Sequence, residues 1–289
     1  MGTPVSDLAG GTERGGFAGI DLLVFDVDGV LVDASRSYPA VVAESLVWAW
    51  IRVLGRIPDG GGFSYDHFAA TKTHPAFNDD YDIAWAAINC AAASSSYLLS
   101  ESLPPPEEWR ALLEDADDDL EKWVKDAFGV TICRKTVRDV CGEMYFGGDE
   151  YERLGMKPVH TTRRSGFWER EAPLVSFSWK DLPLPAAIYT GRSAAELALG
   201  LKVIGWEDFP ESMTVSSDDD IFKPSPLGLS ILCGRAGASR PLFLGDAESD
   251  RQAARTFGNA AFAAIGDFLP HEPLSYKNPA EALAAAGIF

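Results

Sequence analysis

The sequence predicts an α/β fold in which a Rossmann-like parallel sheet carries a mostly helical module inserted after its first strand. Two patterns support this prediction. Short apolar runs alternate with helical segments from residue 185 to 266, which is the order that builds a parallel sheet. An isolated apolar run near the start precedes a long stretch with little strand signal, 37–180. The 289 residues suffice for one large domain or two modest ones.

The first predicted strand lies within residues 20–31. Residues 22–25 form a continuous apolar run, as expected of a strand buried on both faces of a parallel sheet. The run ends abruptly at Asp26 and Asp28, which are followed by a glycine. Because open α/β sheets bind their ligands at the carboxyl ends of the strands, these two carboxylates are candidate functional groups.

The sequence pattern in the next part of the chain predicts helices. Its tryptophans fall mostly at helical positions, so we expect them to form the core of this module. Helices are predicted over residues 38–54, 79–99, 105–128, 131–145 and 149–154. The predicted division of the chain is a flexible tail at 1–17, a sheet domain built from 18–35 and 181–289, and a helical domain at 36–180.

Strands and helices alternate again in the last third of the chain. Ser193 is a favourable N-cap for the first helix of this part. Strands are predicted over 186–190, 213–216, 241–245 and 260–265, and helices over 193–203, 226–236 and 252–257. This order is typical of a parallel sheet with helices on both faces.

Polar side chains follow several of these strands. In a doubly wound sheet such positions can converge at one edge. The set comprises four carboxylates, one hydroxyl and one ammonium: Asp26, Asp28, Thr190, Lys223, Asp246 and Asp250. Phosphoryl transfer needs a nucleophile, cations that hold the phosphoryl oxygens, and a metal that offsets the repulsion between anions.

The motifs and their order resemble those of the haloacid dehalogenase superfamily. They read D-x-D-G-V at 26–30, T-G-R at 190–192, K-P at 223–224 and G-D-x-x-x-D at 245–250. The helical module resembles the cap domain of subfamily I. The resemblance implies a Mg²⁺-dependent phosphohydrolase that acts on a small phosphorylated metabolite through an aspartyl-phosphate.

The resemblance also implies roles for the acidic residues. Asp26 would attack phosphorus. Asp28 would protonate the leaving alkoxide and then deprotonate the attacking water. Asp26, the backbone carbonyl of Asp28, and Asp246 would be the protein ligands of Mg²⁺. Asp250 would hold a metal-bound water or Lys223.

The remaining motif residues would bind the phosphate. The hydroxyl of Thr190 and the backbone N–H of Gly191 would contact its oxygens, and Lys223 would neutralise Asp26 and the transferring group. An acid at position 28 is absent from haloacid dehalogenases themselves, so Asp28 favours a phosphatase or a phosphomutase.

Five further residues are candidates for substrate contact. Arg192 could equally pair with an acid, Asn78 could cap a helix, and the arginine pair in the irregular stretch 158–178 could simply be exposed. The candidates are Arg192, Lys72, Asn78, Arg163 and Arg164. The nearby acids Asp79 and Asp80 raise the hypothesis of a substrate that carries an amine.

Composition argues against several partners. The chain has 43 acidic and 25 basic residues, a formal charge of −18, which disfavours binding to nucleic acid or anionic lipid. The start of the chain lacks an apolar signal-peptide core, and no apolar run reaches membrane-spanning length. The four cysteines lack zinc-binding spacing. We therefore expect a cytoplasmic protein without nucleic-acid or membrane partners; the sequence does not indicate its oligomeric state.

Three functions remain open at this point. The first is the phosphohydrolase. The second is a phosphomutase of the β-phosphoglucomutase type, which needs the same residues but protects the aspartyl-phosphate from water. The third is a regulatory protein that binds a phosphorylated ligand with little turnover.

Overall fold

A computed structural model of the chain describes residues 17–57, 59–72, 74, 76–77, 79–116 and 119–289. Within this part the strands are β1 Leu22–Phe25, β2 Val32–Asp33, β3 Ala172–Pro173, β4 Ala186–Tyr189, β5 Thr214–Val215, β6 Pro241–Gly245, β7 Ala261–Ile265 and β8 Ser275–Tyr276. Six of them form a parallel sheet in the order β5-β4-β1-β6-β7-β8. The predicted α/β fold with a parallel sheet is confirmed.

The helices fall into two groups. Those before β4 form what we call the helical segment: α1 Tyr38–Arg52, α2 Tyr65–Lys72, α3 Asp80–Ala93, α4 Pro106–Leu113, α5 Leu120–Phe128 and α6 Arg134–Arg153. Those after β4 cover the sheet: α7 Ala194–Ile204, α8 Leu227–Ala236, α9 Glu248–Phe257 and α10 Pro279–Ala285.

Strand β1 lies at the centre of the sheet and is buried on both faces. Successive side chains of a strand point to opposite faces. Accordingly, Phe25 packs on one face in a core that includes Leu197 of α7, whereas Val24 packs on the other in a core that includes Leu229 of α8. This double burial explains the continuous apolar run at 22–25.

The helical segment has its own core, in which Trp50, Trp85 and Trp109 are buried. The indole N–H of Trp85 donates to the carbonyl of Ile132 at 2.9 Å. The prediction that the tryptophans form a core here is confirmed. Inside α6, Gly147 has φ 72° and breaks the helical geometry, which matches the break predicted between 145 and 149.

Two predicted helix boundaries in this segment are wrong. The helix predicted over 105–128 is two helices, because the acidic run supplies Asp119 as the N-cap of α5, where it accepts a hydrogen bond from Lys122 N. The helix predicted over 79–99 ends at Ala93, because Ser94 and Ser96 form a turn through their side chain and backbone.

The chain enters and leaves the helical segment at one place. Strands β2 and β3 pair antiparallel, with Val32 opposite Pro173. Beside them, the Ser37 hydroxyl donates to Glu171 Oε1 at 2.8 Å. Two side-by-side connections therefore join the helical segment to the sheet.

Two predictions concern the start of the chain and membranes. Of the predicted tail, residues 1–16 lie outside the described part, and Phe17 is buried with its ring 6.4 Å from that of Tyr276. Every helix in the described part is too short or too polar to cross a bilayer.

Candidate active site

Three strands deliver polar residues to one edge of the sheet. Asp26 follows β1, Thr190 follows β4 and Asp246 follows β6, and β1 lies between the other two strands. The N–H of Asp26 donates to the carbonyl of Leu244 at 2.9 Å, so the ladder with β6 continues through this residue. All three side chains are buried. The convergence predicted from the strand order is therefore what the structure shows.

A carboxylate cluster lies at the centre of this edge. Oxygens of Asp26, Asp246 and Asp250 all lie within 4.8 Å of one another. Burial raises the pKa of Asp26 to about 7, with the charges of Asp250 and Asp28 adding to the rise and that of Lys223 opposing it. Burial and the charge of Asp26 also raise the pKa of Asp246. Three buried acids this close disfavour one another's charge unless a cation joins them.

The cluster fits a hard divalent cation. Its donors are carboxylate oxygens, which Mg²⁺ prefers. Lys223 Nζ lies 3.0 Å from Asp26 Oδ1, but its single positive charge does not balance three buried carboxylates. A divalent cation there would balance the remaining negative charge of the cluster.

Lys223 lies between two acids of the cluster. Its Nζ is 3.0 Å from Asp26 Oδ1 and 2.6 Å from Asp250 Oδ1. Burial alone would lower the pKa of Lys223, but the charges of Asp250 and Asp26 outweigh it and raise that pKa. Lys223 is therefore a fixed positive charge beside Asp26.

Two glycines let carboxylates approach the backbone. Gly29 has φ 71°, and a Cβ there would lie 2.1 Å from Asp246 Oδ2. A Cβ on Gly245 would lie 2.4 Å from the Cβ of Asp250. A side chain at either position would displace a member of the carboxylate cluster.

Asp28 is held by an arginine. Nη2 of Arg192 lies 2.6 Å from Asp28 Oδ1, and Nε lies 3.2 Å from both carboxylate oxygens. Only 1% of the Arg192 side chain is exposed. Of the two roles predicted for Arg192, substrate contact and pairing with an acid, the structure shows the second.

A cavity separates this sheet edge from the helical segment. The sheet side contributes Asp26, Asp28 and Lys223, and the helical segment contributes Lys72, Asp80 and Tyr81, among others. A small molecule in this cavity would contact both parts of the chain.

The family model described as a haloacid dehalogenase-like hydrolase matches residues 20–258. The chain belongs to this family. The match spans every motif from Asp26 to Asp250, and the resemblance seen in these motifs is confirmed.

Solved structures share the fold of this haloacid dehalogenase-like hydrolase. Phosphatase Tt82 from Thermococcus thioreducens is 22% identical, with 92% of this chain and 99% of that chain covered and a TM-score of 0.61. A hydrolase from Pseudomonas syringae is 16% identical, with 92% and 96% covered and a TM-score of 0.50. At these identities the likeness shows the fold alone. No curated protein matches the sequence significantly.

The helical segment of this hydrolase brings one of the predicted substrate residues to the cavity. Lys72 Nζ lies 2.9 Å from Asp80 Oδ1, and both side chains are largely buried. Asp79 also lines the cavity, but its carboxylate caps α3 through Tyr81 N and pairs with Arg138 at 2.5 Å. Asn78 lies outside the described residues.

The arginine pair does not reach the cavity. Arg164 pairs with Glu152 at 2.9 Å and also with Asp149. Arg163 lies 3.4 Å from Glu44 and stacks its guanidinium over a phenylalanine ring. The structure places both on the surface of the helical segment.

The sequence analysis missed several residues around Asp28 and the cavity. Glu171 and Tyr145 are buried next to Arg192, and Tyr38 and Glu196 line the cavity. Each comes from a different part of the chain. The one short motif among them, the capping box of Ser193 and Glu196, indicates a helix start and not a cavity residue.

Proposed function

We propose that this hydrolase is a Mg²⁺-dependent phosphatase that removes phosphate from a small phosphorylated metabolite through an aspartyl-phosphate on Asp26. One observation carries the proposal. Asp26 lies in the carboxylate cluster that fits a divalent cation, and its other neighbour is the ammonium of Lys223. Such a carboxylate can approach an anionic phosphate because nearby positive charge offsets the repulsion.

The first half of the reaction transfers the phosphoryl group to the protein. A carboxylate oxygen of Asp26 forms a bond to phosphorus while the ester P–O bond breaks. Asp28 donates a proton to the departing alkoxide. Mg²⁺, held by Asp26, Asp246 and the backbone carbonyl of Asp28, would supply charge neutralisation for the phosphoryl oxygens when bound.

The second half regenerates the carboxylate. Asp28 accepts a proton from water as the water oxygen bonds to phosphorus, and the bond between Asp26 and phosphorus breaks. Inorganic phosphate leaves. Throughout, the Thr190 hydroxyl, the Gly191 N–H and the Lys223 ammonium bind phosphoryl oxygens, and Asp250 keeps Lys223 in place at 2.6 Å.

The helical segment serves as a cap in this proposal, with its domain spanning about residues 36–180. The leaving group lies against Lys72, Asp80 and Tyr81, which face the cavity from the cap side. Closure of the cap excludes bulk water and leaves Asp28 as the proton donor within reach.

Phosphate release from a panel of phosphomonoesters, with and without Mg²⁺, tests the proposal. We expect Mg²⁺-dependent release that disappears in Asp26→Asn, whose amide cannot form the acyl phosphate. Asp220→Asn is the matched control, because Asp220 is an exposed acid and the same chemical change there should leave release intact.

Three results would contradict it. Release that survives Asp26→Asn means that the nucleophile lies elsewhere. A folded protein that releases no phosphate but interconverts phosphorylated sugars is a mutase. One that binds phosphorylated ligands without turnover is a regulatory protein.

A further inference from the structure

We propose that Arg192 is a positioning residue for the reaction: it holds the Asp28 carboxylate at the cavity and ties it to the two connections between the helical segment and the sheet. The inference rests on the proposed phosphatase function, in which Asp28 moves the protons. It assigns Arg192 to Asp28 and leaves substrate binding to other groups.

The hydrogen bonds of Arg192 support this assignment. A guanidinium has five N–H groups, and each nitrogen here has protein acceptors. Nε and Nη2 bind Asp28, Nη1 donates to the Tyr145 hydroxyl at 2.9 Å and to the Glu196 carbonyl at 3.1 Å, and Nη2 also lies 3.0 Å from Glu171 Oε1. The guanidinium therefore has protein acceptors for all three of its nitrogens, although it borders the cavity.

The guanidinium also contacts the connection through which the chain returns from the helical segment to the sheet. Glu171 lies just before β3, and its side chain is fully buried. It accepts hydrogen bonds from the Ser37 hydroxyl at 2.8 Å and the Tyr145 hydroxyl at 3.2 Å. Ser37 lies just before α1, so both connections contact the group that holds Arg192.

The charges of this cluster fit ion pairing within the protein rather than a ligand site. Arg192 stands between the carboxylates of Asp28 and Glu171 at 2.6 and 3.0 Å. An unpaired buried charge is strongly unfavourable, so the fully buried carboxylate of Glu171 keeps the guanidinium in place whether or not Asp28 carries a proton. The planar fork binds two acids in fixed directions, which a lysine ammonium cannot do.

A glycine makes room for this arrangement. A Cβ on Gly200 of α7 would lie 2.8 Å from Nη1 of Arg192 and 3.4 Å from Cγ1 of Val27. Any side chain there must displace Nη1 of the guanidinium. Gly200 thereby offers a way to move Arg192 without changing any charged group.

Leaving-group dependence tests the positioning role. An alkyl phosphate needs a proton on its leaving oxygen, whereas p-nitrophenyl phosphate does not. In Arg192→Lys we expect kcat/KM for the best alkyl phosphate of the panel to fall about 10-fold more than for p-nitrophenyl phosphate, which is part of the roughly 100- to 10,000-fold that a general acid supplies. Asp28→Asn should show the same selectivity, and Arg192→Lys should add little to it in that background.

Two further variants separate this effect from general damage. Gly200→Ala should lower alkyl phosphate turnover selectively, and the helix preference of alanine offsets part of the stability lost when Arg192 shifts. Arg134→Lys is the matched control, because Arg134 pairs with Asp82 on the helical segment and should leave the ratio of the two substrates unchanged.

A measurement without turnover checks the contact itself. The melting temperature of the metal-free protein should drop in Arg192→Lys, and the drop should be smaller in the Asp28→Asn background, where the pair is already lost. Equal drops in both backgrounds would show that the two side chains are not coupled.

The outcomes distinguish this inference from the function on which it rests. If Arg192→Lys and Gly200→Ala each lower kcat/KM equally for the alkyl phosphate and for p-nitrophenyl phosphate, the positioning role alone is overturned. Wild-type release from p-nitrophenyl phosphate but from no alkyl phosphate overturns it too, because Asp28 then donates no proton. No release from any ester by the wild type removes the proposed function and this inference together.

Discussion

The ammonium of Lys223 lies closer to Asp250 than to Asp26, at 2.6 Å against 3.0 Å. Asp250 is fully buried, and its Oδ2 accepts the N–H of Ala247 at 3.0 Å, which fixes it at the start of α9. Asp250 therefore fixes the position of Lys223, and the contact of Lys223 with the proposed nucleophile Asp26 is the longer of the two.

Loss of the Asp250 charge should misplace Lys223. In Asp250→Asn we expect the ammonium to pair fully with Asp26 and block it, so kcat should fall about 10- to 100-fold, as for other residues that orient a reactive group. Steady-state kinetics on the best panel substrate measures this. Asp220→Asn should retain full activity; full activity in Asp250→Asn as well would show that Lys223 needs no such anchor.

Mg²⁺ binding should depend on pH through Asp26. The pKa of Asp26 is about 7 in the folded metal-free protein and near 4 in an unfolded chain, so its contribution to stability is full below about pH 4 and is lost as the pH rises to about 7. A cation must displace this proton, so affinity for Mg²⁺ should weaken up to about tenfold for each pH unit below 7. Melting curves with and without Mg²⁺ at pH 5 and 8 test this.

The matched variant for this experiment is Asp246→Asn. It removes a proposed ligand and should abolish the Mg²⁺-induced rise in melting temperature at both pH values. A rise of the same size at pH 5 and pH 8 in the wild type would contradict a cation site that includes Asp26.

Gly29→Ala and Gly55→Ala together distinguish the effect of backbone strain from the effect of a collision with Asp246. Both glycines have positive φ, 71° and 63°, so alanine costs about 1–2 kcal/mol of backbone strain at each. Only at Gly29 would the new methyl collide with Asp246; the surroundings of Gly55 are open to 4 Å. We expect Gly29→Ala alone to lose the Mg²⁺ response and turnover, and equal retention in both variants would contradict the close approach.

Lys72 and Asp80 should affect substrate binding more than chemistry. Lys72→Met removes the cation beside the buried Asp80, and we expect KM to rise about 10-fold with a smaller change in kcat, because the pair faces the proposed leaving group. Lys122→Met, at an exposed lysine of the same segment, should leave KM unchanged. A change confined to kcat would argue against contact with the substrate.

The sequence predicted the sheet edge well because its signals are local. A strand buried on both faces is apolar at every position, and Asp26 stands directly after such a run. The helix α2 and the edge strand β8 were missed: α2 has a weak apolar pattern, and β8 has only two residues. The partners of Arg192 were missed because Glu171 and Tyr145 meet it only through the folded chain.

The pairing of β2 with β3 has a consequence for how such chains can change. Val32 lies opposite Pro173, so everything between them leaves and rejoins the sheet at neighbouring points. Insertions in the loops of that excursion cost mainly loop-closure entropy, which grows slowly with length. The excursion can therefore lengthen during evolution while Asp26, Lys223 and Asp246 keep their places, because none of these three residues lies within it.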